Sequence, residues 1–142
     1  MTLVEDPQTA AGRPTRRRTY GSLISWLLIA AFTVSIAYTA YTSVVGLADP
    51  GFTLGTPMTW VFYAVCFAVA VLARRPAAVA QWVVSVVVAG LLAISVFVYP
   101  AMFTPRQQTT VGWLENDAYV GLLSAALVLG VLRLRGITLA PR

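Results

Sequence analysis

Long apolar runs, separated by short polar breaks, fill the chain from residue 22 onward. They cover residues 22–47, 58–73, 77–99 and 118–134. A run of about 20 apolar residues crosses the hydrocarbon layer as a helix, so the second run is short, although nothing interrupts it. The pattern predicts an all-α membrane protein with four transmembrane helices in an antiparallel bundle.

Turn signals separate the first three runs. The sequence Asp49-Pro50-Gly51 favours a turn, because proline presets φ and glycine accepts positive φ. Pro57 fits the first turn of the second helix, where its missing N–H is not needed. Pro76 follows two arginines and ends the second run, which leaves only a tight connection to the third.

The two ends of the chain differ from its apolar middle. Residues 1–21 are polar, and they contain prolines and a run of three arginines just before the first apolar run. Such a segment has too few large apolar residues to form a core, so we predict a disordered basic cytoplasmic tail over residues 1–21. The membrane domain is predicted over residues 22–134, and a short cytoplasmic tail over residues 135–142.

The placement of arginine gives the predicted orientation. If both termini are cytoplasmic, Arg106 lies outside and the other nine of the ten basic residues lie inside: Arg13, Arg16, Arg17, Arg18, Arg74, Arg75, Arg133, Arg135 and Arg142. Cytoplasmic segments of membrane proteins carry an excess of basic residues. The sequence therefore predicts an N-in/C-in protein. Its net charge of +5 then reflects membrane topology, and no nucleic-acid partner is expected.

Small and hydroxylated residues recur every four positions in the first predicted helix, at Ala31, Ser35, Thr39 and Ser43. This spacing places them on one helix face. Small residues let helix backbones approach closely, so the stripe predicts a helix-packing seam. The alternative is a polar lining for a pore.

Pairs of small residues with the same spacing occur in each of the other predicted helices. The pairs are Ala64/Ala68, Ala89/Ala93, Gly121/Ala125 and Ala126/Gly130, and Ser85 extends the second of them by one more step of four residues. They predict further helix contacts, either within one molecule or with a partner.

Residues 99–119 form the one sizeable polar segment between apolar runs. We predict that Asn116 or Asp117 caps the last helix, because acidic and amide side chains favour helix N-termini. Capping and topology leave part of the polar character unexplained. The segment is therefore also a possible partner-docking patch, formed by Arg106, Gln107, Gln108, Glu115 and Asp117.

Aromatic residues stand near the predicted outer ends of the helices. Trp60 and Tyr63 lie in the first two turns of the second helix, and Trp113 and Tyr119 flank the start of the fourth. Tryptophan and tyrosine are enriched at membrane interfaces, so we predict that these four residues are interface anchors.

Composition narrows the chemistry. Only 11% of the residues are charged, against about 25% in soluble domains, and the predicted spans contain none apart from Arg133, one residue before the end of the fourth. Histidine is absent and Cys66 is the only cysteine, which argues against haem ligation, histidine metal sites and disulfide chemistry. No catalytic or phosphate-binding motif is present, so neither an enzyme nor a cofactor is expected.

These observations favour a non-catalytic small integral membrane protein that serves as an accessory, assembly or scaffold subunit of a larger membrane complex. The alternative is a small channel or carrier that acts as an oligomer. The expected partners are membrane lipids and either another membrane protein or a second copy. Arginine as the only basic residue, with abundant alanine and valine, favours a bacterial source and hence the cytoplasmic membrane.

Overall fold

The protein is helical throughout the part that the computed structural model describes, residues 16–98 and 109–137, with side chains from residue 20. The helices are α1 (Arg16–Val45), α2 (Pro57–Leu72), α3 (Ala78–Ala93) and α4 (Thr110–Leu134). A π-helical turn, Ile94–Val98, continues α3 without a break. No strand occurs in these residues, so the predicted all-helical class is confirmed for them.

Three of the helical segments are long and apolar enough to cross a membrane. They are Tyr20–Val45, Ala78–Val98 and Thr110–Leu134. The remaining helix, α2, has 16 residues and therefore measures about 24 Å, less than the hydrocarbon thickness of about 30 Å. Three of the four predicted spans thus have the length of a membrane-crossing helix.

The first helix begins earlier than the hydropathy pattern predicts. It starts at Arg16, inside the segment that we expected to be a disordered tail. The apolar pattern does not mark this start, because polar residues can continue a helix beyond its apolar part. Residues 1–15 of that predicted tail lie outside the described residues. The helix ends at Val45 and is followed by Gly46, whose φ of 73° suits glycine, and the Leu47 N–H donates to the Thr42 backbone oxygen at 2.9 Å.

The last helix also begins earlier, and its predicted cap is wrong. Thr109 is the N-cap, and its side chain accepts a hydrogen bond from the Gly112 N–H at 3.1 Å. Glu115, Asn116 and Asp117 therefore lie inside α4 and do not precede it. The charged residues interrupt the apolar run without interrupting the helix. The candidate membrane-crossing helix Thr110–Leu134 therefore includes Glu115 and Asp117 near its start.

The connection between α1 and α2 confirms the predicted turn. The Phe52 N–H donates to the Asp49 backbone oxygen at 2.9 Å, and the Gly51 N–H donates to the Asp49 carboxylate at 2.8 Å. Pro57 is the first residue of α2, as predicted.

Apolar side chains from all four helices fill the centre of the protein. Leu28 and Phe32 of α1, Ala70 of α2 and Leu123 of α4 are all fully buried. The Phe32 ring meets Phe67 edge-on, with 6.0 Å between the ring centroids. Helix α1 packs on α2 and α4, whereas α3 packs mainly on α4. The contact between α1 and α4 is thus the most extensive helix–helix contact in the interior.

Large apolar side chains also cover much of the outer surface. Val44, Val79 and Phe97 are each at least three-quarters exposed, and similar side chains project from α2 and α4, among them Met58 and Leu114. A surface of this kind is unfavourable in water and matches a lipid surrounding. Together with the three long apolar helices, it is compatible with a multi-pass membrane protein.

Two of the four predicted interface anchors are core residues instead. Tyr63 and Tyr119 are buried, and the Tyr119 ring lies 6.4 Å from the Phe32 ring. Trp60 and Trp113 are exposed, as interface anchors would be. Hydropathy locates an aromatic residue along a helix, but it does not show which side of the helix that residue faces.

Candidate functional site

A cavity of about 340 Å³ opens between the helices at the end that carries the α1–α2 connection. We call it the loop cavity. Its lining is drawn from all four helices and from that connection: Ser35, Tyr38, Thr39, Thr42, Leu47, Asp49, Phe52, Phe62, Leu91, Ile94, Ser95, Glu115, Asn116 and Tyr119. Most of the lining surface is apolar, although nine of these fourteen residues carry a polar side-chain group, and a mainly apolar surface with placed polar groups is typical of small-molecule sites.

A hydroxyl cluster joins α1 to α2 at the wall of the loop cavity. The Tyr63 hydroxyl lies 2.9 Å from Thr39 Oγ1 and 3.1 Å from Ser35 Oγ. Thr39 Oγ1 also donates to the Ser35 backbone oxygen at 3.0 Å. The four-residue spacing of Ser35 and Thr39 brings both hydroxyls to one helix face, so a single tyrosine reaches both.

Two carboxylates belong to the lining. Asp49 is oriented by the hydrogen bond that it accepts from the Gly51 N–H. Glu115 is half-buried on α4, and the neighbouring Asn116 is almost completely buried. The described lining therefore has carboxylate groups from the α1–α2 connection and from α4, an amide from α4, and hydroxyl groups from α1.

The π-helical turn that continues α3 contributes another part of the loop cavity wall. Ser95 is buried, and its Oγ donates to the Leu91 backbone oxygen at 2.9 Å. In a π-helical turn the backbone hydrogen bonds join residues five positions apart, whereas those of an α-helix join residues four apart. This difference changes the direction in which the following side chains point. Such single turns occur frequently at functional sites, and this one places Ile94 and Ser95 in the cavity wall.

Aromatic rings close the side formed by α2 and the α1–α2 connection. Phe52 lies edge-on to Phe62, with centroids 5.6 Å apart, and 5.9 Å from the Tyr63 ring. These ring pairs fix the connection against α2, because edge-to-face contacts add to the stabilisation from burial.

The predicted docking patch is divided by the structure. Glu115 lines the loop cavity, whereas Asp117 is exposed and lies outside the lining. Arg106, Gln107 and Gln108 fall outside the described residues. The docking role of these five residues stays a prediction.

The predicted seam on α1 also divides. Ala31 and Thr39 are buried, and Ser35 is half-buried beside Tyr63. Ser43 is exposed and donates to the Thr39 backbone oxygen at 2.7 Å. The inward part of the stripe thus contacts α2, and the packing role of the whole stripe stays a prediction.

Sequence reasoning missed several lining residues, among them Asn116, Thr42 and Ser95. Asn116 was assigned to capping, although the Glu115-Asn116 pair precedes Tyr119 at helical spacing. Thr42 follows Thr39 by three residues, so the hydroxylated stripe already contained its signal. For Ser95 the only available signal was an isolated polar residue in an apolar run.

Small-residue pairs face outward on three helices. Both members of the Ala64/Ala68, Ala89/Ala93 and Gly121/Ala125 pairs are exposed. A Cβ atom added to Gly121 would have no atom within 4 Å. In contrast, Ala126 is buried, and a Cβ at Gly130 would lie 3.1 Å from Ser85 Oγ. Helix packing within the molecule therefore uses one of these four pairs and leaves three on the surface.

The described residues give the loop cavity neither a metal-binding cluster nor a cysteine. The described residues contain no group of three or more histidine, cysteine or acidic side chains that could hold a metal ion. Cys66 is buried in the hydrophobic core and is absent from the cavity lining. Comparison with protein-family models, with curated proteins and with solved structures found no match to the chain.

Proposed function

We propose that this protein is a non-catalytic accessory, assembly or scaffold subunit that binds a larger membrane protein through its helix faces. The observation that carries the proposal is the outward position of three small-residue pairs, Ala64/Ala68, Ala89/Ala93 and Gly121/Ala125. Lipid tails are as apolar as leucine, so helices associate in membranes mainly where small residues allow close backbone contact.

The face of α4 is the best candidate for the contact. Leu114, Ala118, Gly121, Ala125 and Val128 are exposed and recur at intervals of three or four residues. They form one stripe, with its smallest residues in the middle. A partner helix could approach the α4 backbone closely at Gly121 and pack against the larger side chains on either side.

A matched pair of substitutions tests this function. Ala125→Leu fills the centre of the exposed stripe, whereas Ala30→Leu makes the same change at an exposed α1 position with Trp26 and Val34 at the neighbouring turns. Affinity purification in a gentle detergent should recover a membrane partner with the native chain and with Ala30→Leu, but not with Ala125→Leu. Equal recovery of that partner with both variants would contradict the proposal.

We also propose the arrangement of the chain in the membrane. The helices form an antiparallel bundle with both termini on the cytoplasmic side of a bacterial cytoplasmic membrane. Two observations support this arrangement. The cavity joins the end of α1 to the start of α4, and Arg133 near the end of α4 contacts the residues that follow α2. The positive-inside rule then places the Arg74-Arg75 connection inside and the loop cavity outside.

A small carrier that acts as an oligomer is the second candidate function, and the hydroxyl groups of the loop cavity favour it. Within one molecule, however, the fully buried side chains of Leu28, Phe32 and Leu123 fill the interior. A transport path would therefore require a change in helix packing or several copies. Flux into proteoliposomes that is abolished by Thr39→Val would support this candidate, and its absence alongside partner recovery would favour the first.

A further inference from the structure

The lining of the loop cavity is acidic. Among the described residues that line it, the charged side chains are Asp49 and Glu115. Two described arginines form hydrogen bonds near the other end of α1, where Arg74 Nε donates to Ser25 Oγ at 3.0 Å and Arg133 Nη1 donates to the Ala73 oxygen at 2.8 Å. No described basic side chain therefore neutralises the cavity.

A buried amide stands beside the half-buried carboxylate. Asn116 is 7% exposed and lines the cavity, and none of the hydrogen bonds between described residues uses its side chain. Its amide atoms are not among the fully buried, unpaired polar atoms of the described residues, so they stay accessible, and the amide oxygen can accept a hydrogen bond from a ligand N–H in the cavity. The Asn116 carbonyl oxygen and the Glu115 carboxylate form a pair of acceptors on one stretch of α4.

Apart from the hydroxyl groups of α1 and Ser95, aromatic and aliphatic side chains make up the rest of the described wall. Tyr38, Phe52, Phe62 and Tyr119 contribute rings to the lining. The faces of aromatic rings attract cations, and such rings also accept apolar groups. A cavity of about 340 Å³ falls in the size range of small-molecule sites.

We propose that the loop cavity binds an ammonium group attached to an apolar body, with Glu115 and Asp49 as its counter-charges and Asn116 as a hydrogen-bond acceptor. Acidic oxygens, aromatic rings and an apolar wall together fit a cationic amphiphile better than an anion or a neutral polar solute. This site does not depend on the helix association proposed above, and its failure would leave that proposal standing.

An ammonium group of this kind has two sources, a free amine and a lipid headgroup. For the first, benzylammonium, which carries three N–H donors, is titrated into the protein in dodecyl maltoside by calorimetry, with empty micelles as the reference and benzenesulfonate as an anion of similar size. For the second, native mass spectrometry compares the retention of phosphatidylethanolamine and phosphatidylglycerol supplied in equal amounts. Preferential retention of phosphatidylethanolamine identifies the lipid as the source, whereas cation binding without that preference identifies a free amine.

Three substitutions assign the binding to the cavity. Glu115→Gln keeps the shape of the side chain and should weaken binding by about tenfold or more, because hydrogen bonds to charged groups are the strong ones. Asp49→Asn, in the connection outside the helices, should weaken it as well. Asp117→Asn removes an exposed acid outside the lining and should leave the affinity unchanged.

Circular dichroism and elution volume show whether each variant is folded. Saturable binding of the cation or of phosphatidylethanolamine that is lost in Glu115→Gln supports the site. The proposal is overturned if neither probe binds saturably. It is also overturned if benzenesulfonate binds as well as the cation, or if Glu115→Gln and Asp49→Asn both leave binding unchanged.

Discussion

Arg133 near the end of α4 donates a hydrogen bond from Nη1 to the backbone oxygen of Ala73, the residue that follows α2, at 2.8 Å. Its Nη2 donates to the Arg75 oxygen at 3.2 Å. The last carbonyl groups of a helix lack partners within the helix, and the negative end of the helix dipole favours a cation there. Arg133 therefore fastens α4 to the C-terminal end of α2.

We expect Arg133→Gln to lower the free energy of unfolding by about 1–3 kcal/mol, because it removes charge-assisted hydrogen bonds to two carbonyl groups. The measurement is unfolding in mixed micelles of dodecyl maltoside with increasing dodecyl sulfate, followed by circular dichroism. Arg135→Gln is the matched control, since Arg135 is exposed two residues further on and should have little effect. Equal loss of stability in both variants would show that the contact to Ala73 contributes nothing specific.

Gly21 allows α1 to pack closely against the C-terminal end of α2, where Arg133 donates its hydrogen bonds. A Cβ atom there would lie 2.8 Å from the Ala73 backbone oxygen and 3.0 Å from Arg133 Nη1. We expect Gly21→Ala to destabilise the protein by about 1–3 kcal/mol through steric conflict, although alanine is the better helix former.

Gly90→Ala is the control for this substitution, because a Cβ at Gly90 would meet nothing within 4 Å. It should be neutral or stabilising by up to about 1 kcal/mol, which is the helix propensity difference alone. The same unfolding assay compares the two variants. Stabilisation by Gly21→Ala would mean that the helices do not approach each other as closely at this point.

The hydroxyl of Tyr63 links α2 to α1 through Ser35 and Thr39. We expect Tyr63→Phe to cost about 0.5–1.5 kcal/mol, since the ring stays buried and only the hydrogen bonds are lost. Tyr41→Phe, at an exposed position of α1, should cost less. A double-mutant cycle with Thr39→Val isolates the coupling, and purely additive effects would argue against a direct bond between the two side chains.

The position of each apolar run was readable from the sequence, because membrane helices need long apolar stretches. The start of α4 was not, since Glu115, Asn116 and Asp117 end the apolar pattern but not the helix. Helices continue into the membrane interface, where polar side chains reach water, so hydropathy marks only their apolar part.

The helix face on which a side chain lies was predictable only where the sequence has a periodic pattern. The spacing of Ser35 and Thr39 predicted one helix face, and both residues line the loop cavity. Tyr63 was misassigned to the interface, because tyrosine suits both an interface and a buried hydrogen bond. The contact of Arg133 with Ala73 joins residues 60 positions apart, and no local pattern encodes it.

The central claim is that α2 crosses the membrane although it has only 16 residues. A short span is accommodated by local thinning of the bilayer, at a cost of only fractions of a kcal/mol per Å, and the exposed Arg74 and Arg75 at its end can reach the interface. If α2 crosses, the α1–α2 connection and the α2–α3 connection lie on opposite sides. The location of the loop cavity and of both termini follows from this step.

Single cysteines in the two connections measure this directly. In a Cys66→Ala background, Gly55→Cys and Ala77→Cys place one thiol at an exposed position in each connection. Bacterial spheroplasts that express each variant are treated with a membrane-impermeant maleimide before and after permeabilisation. We predict that Gly55→Cys is labelled in intact spheroplasts and Ala77→Cys only after permeabilisation; labelling of both thiols from the same side would contradict the crossing of α2.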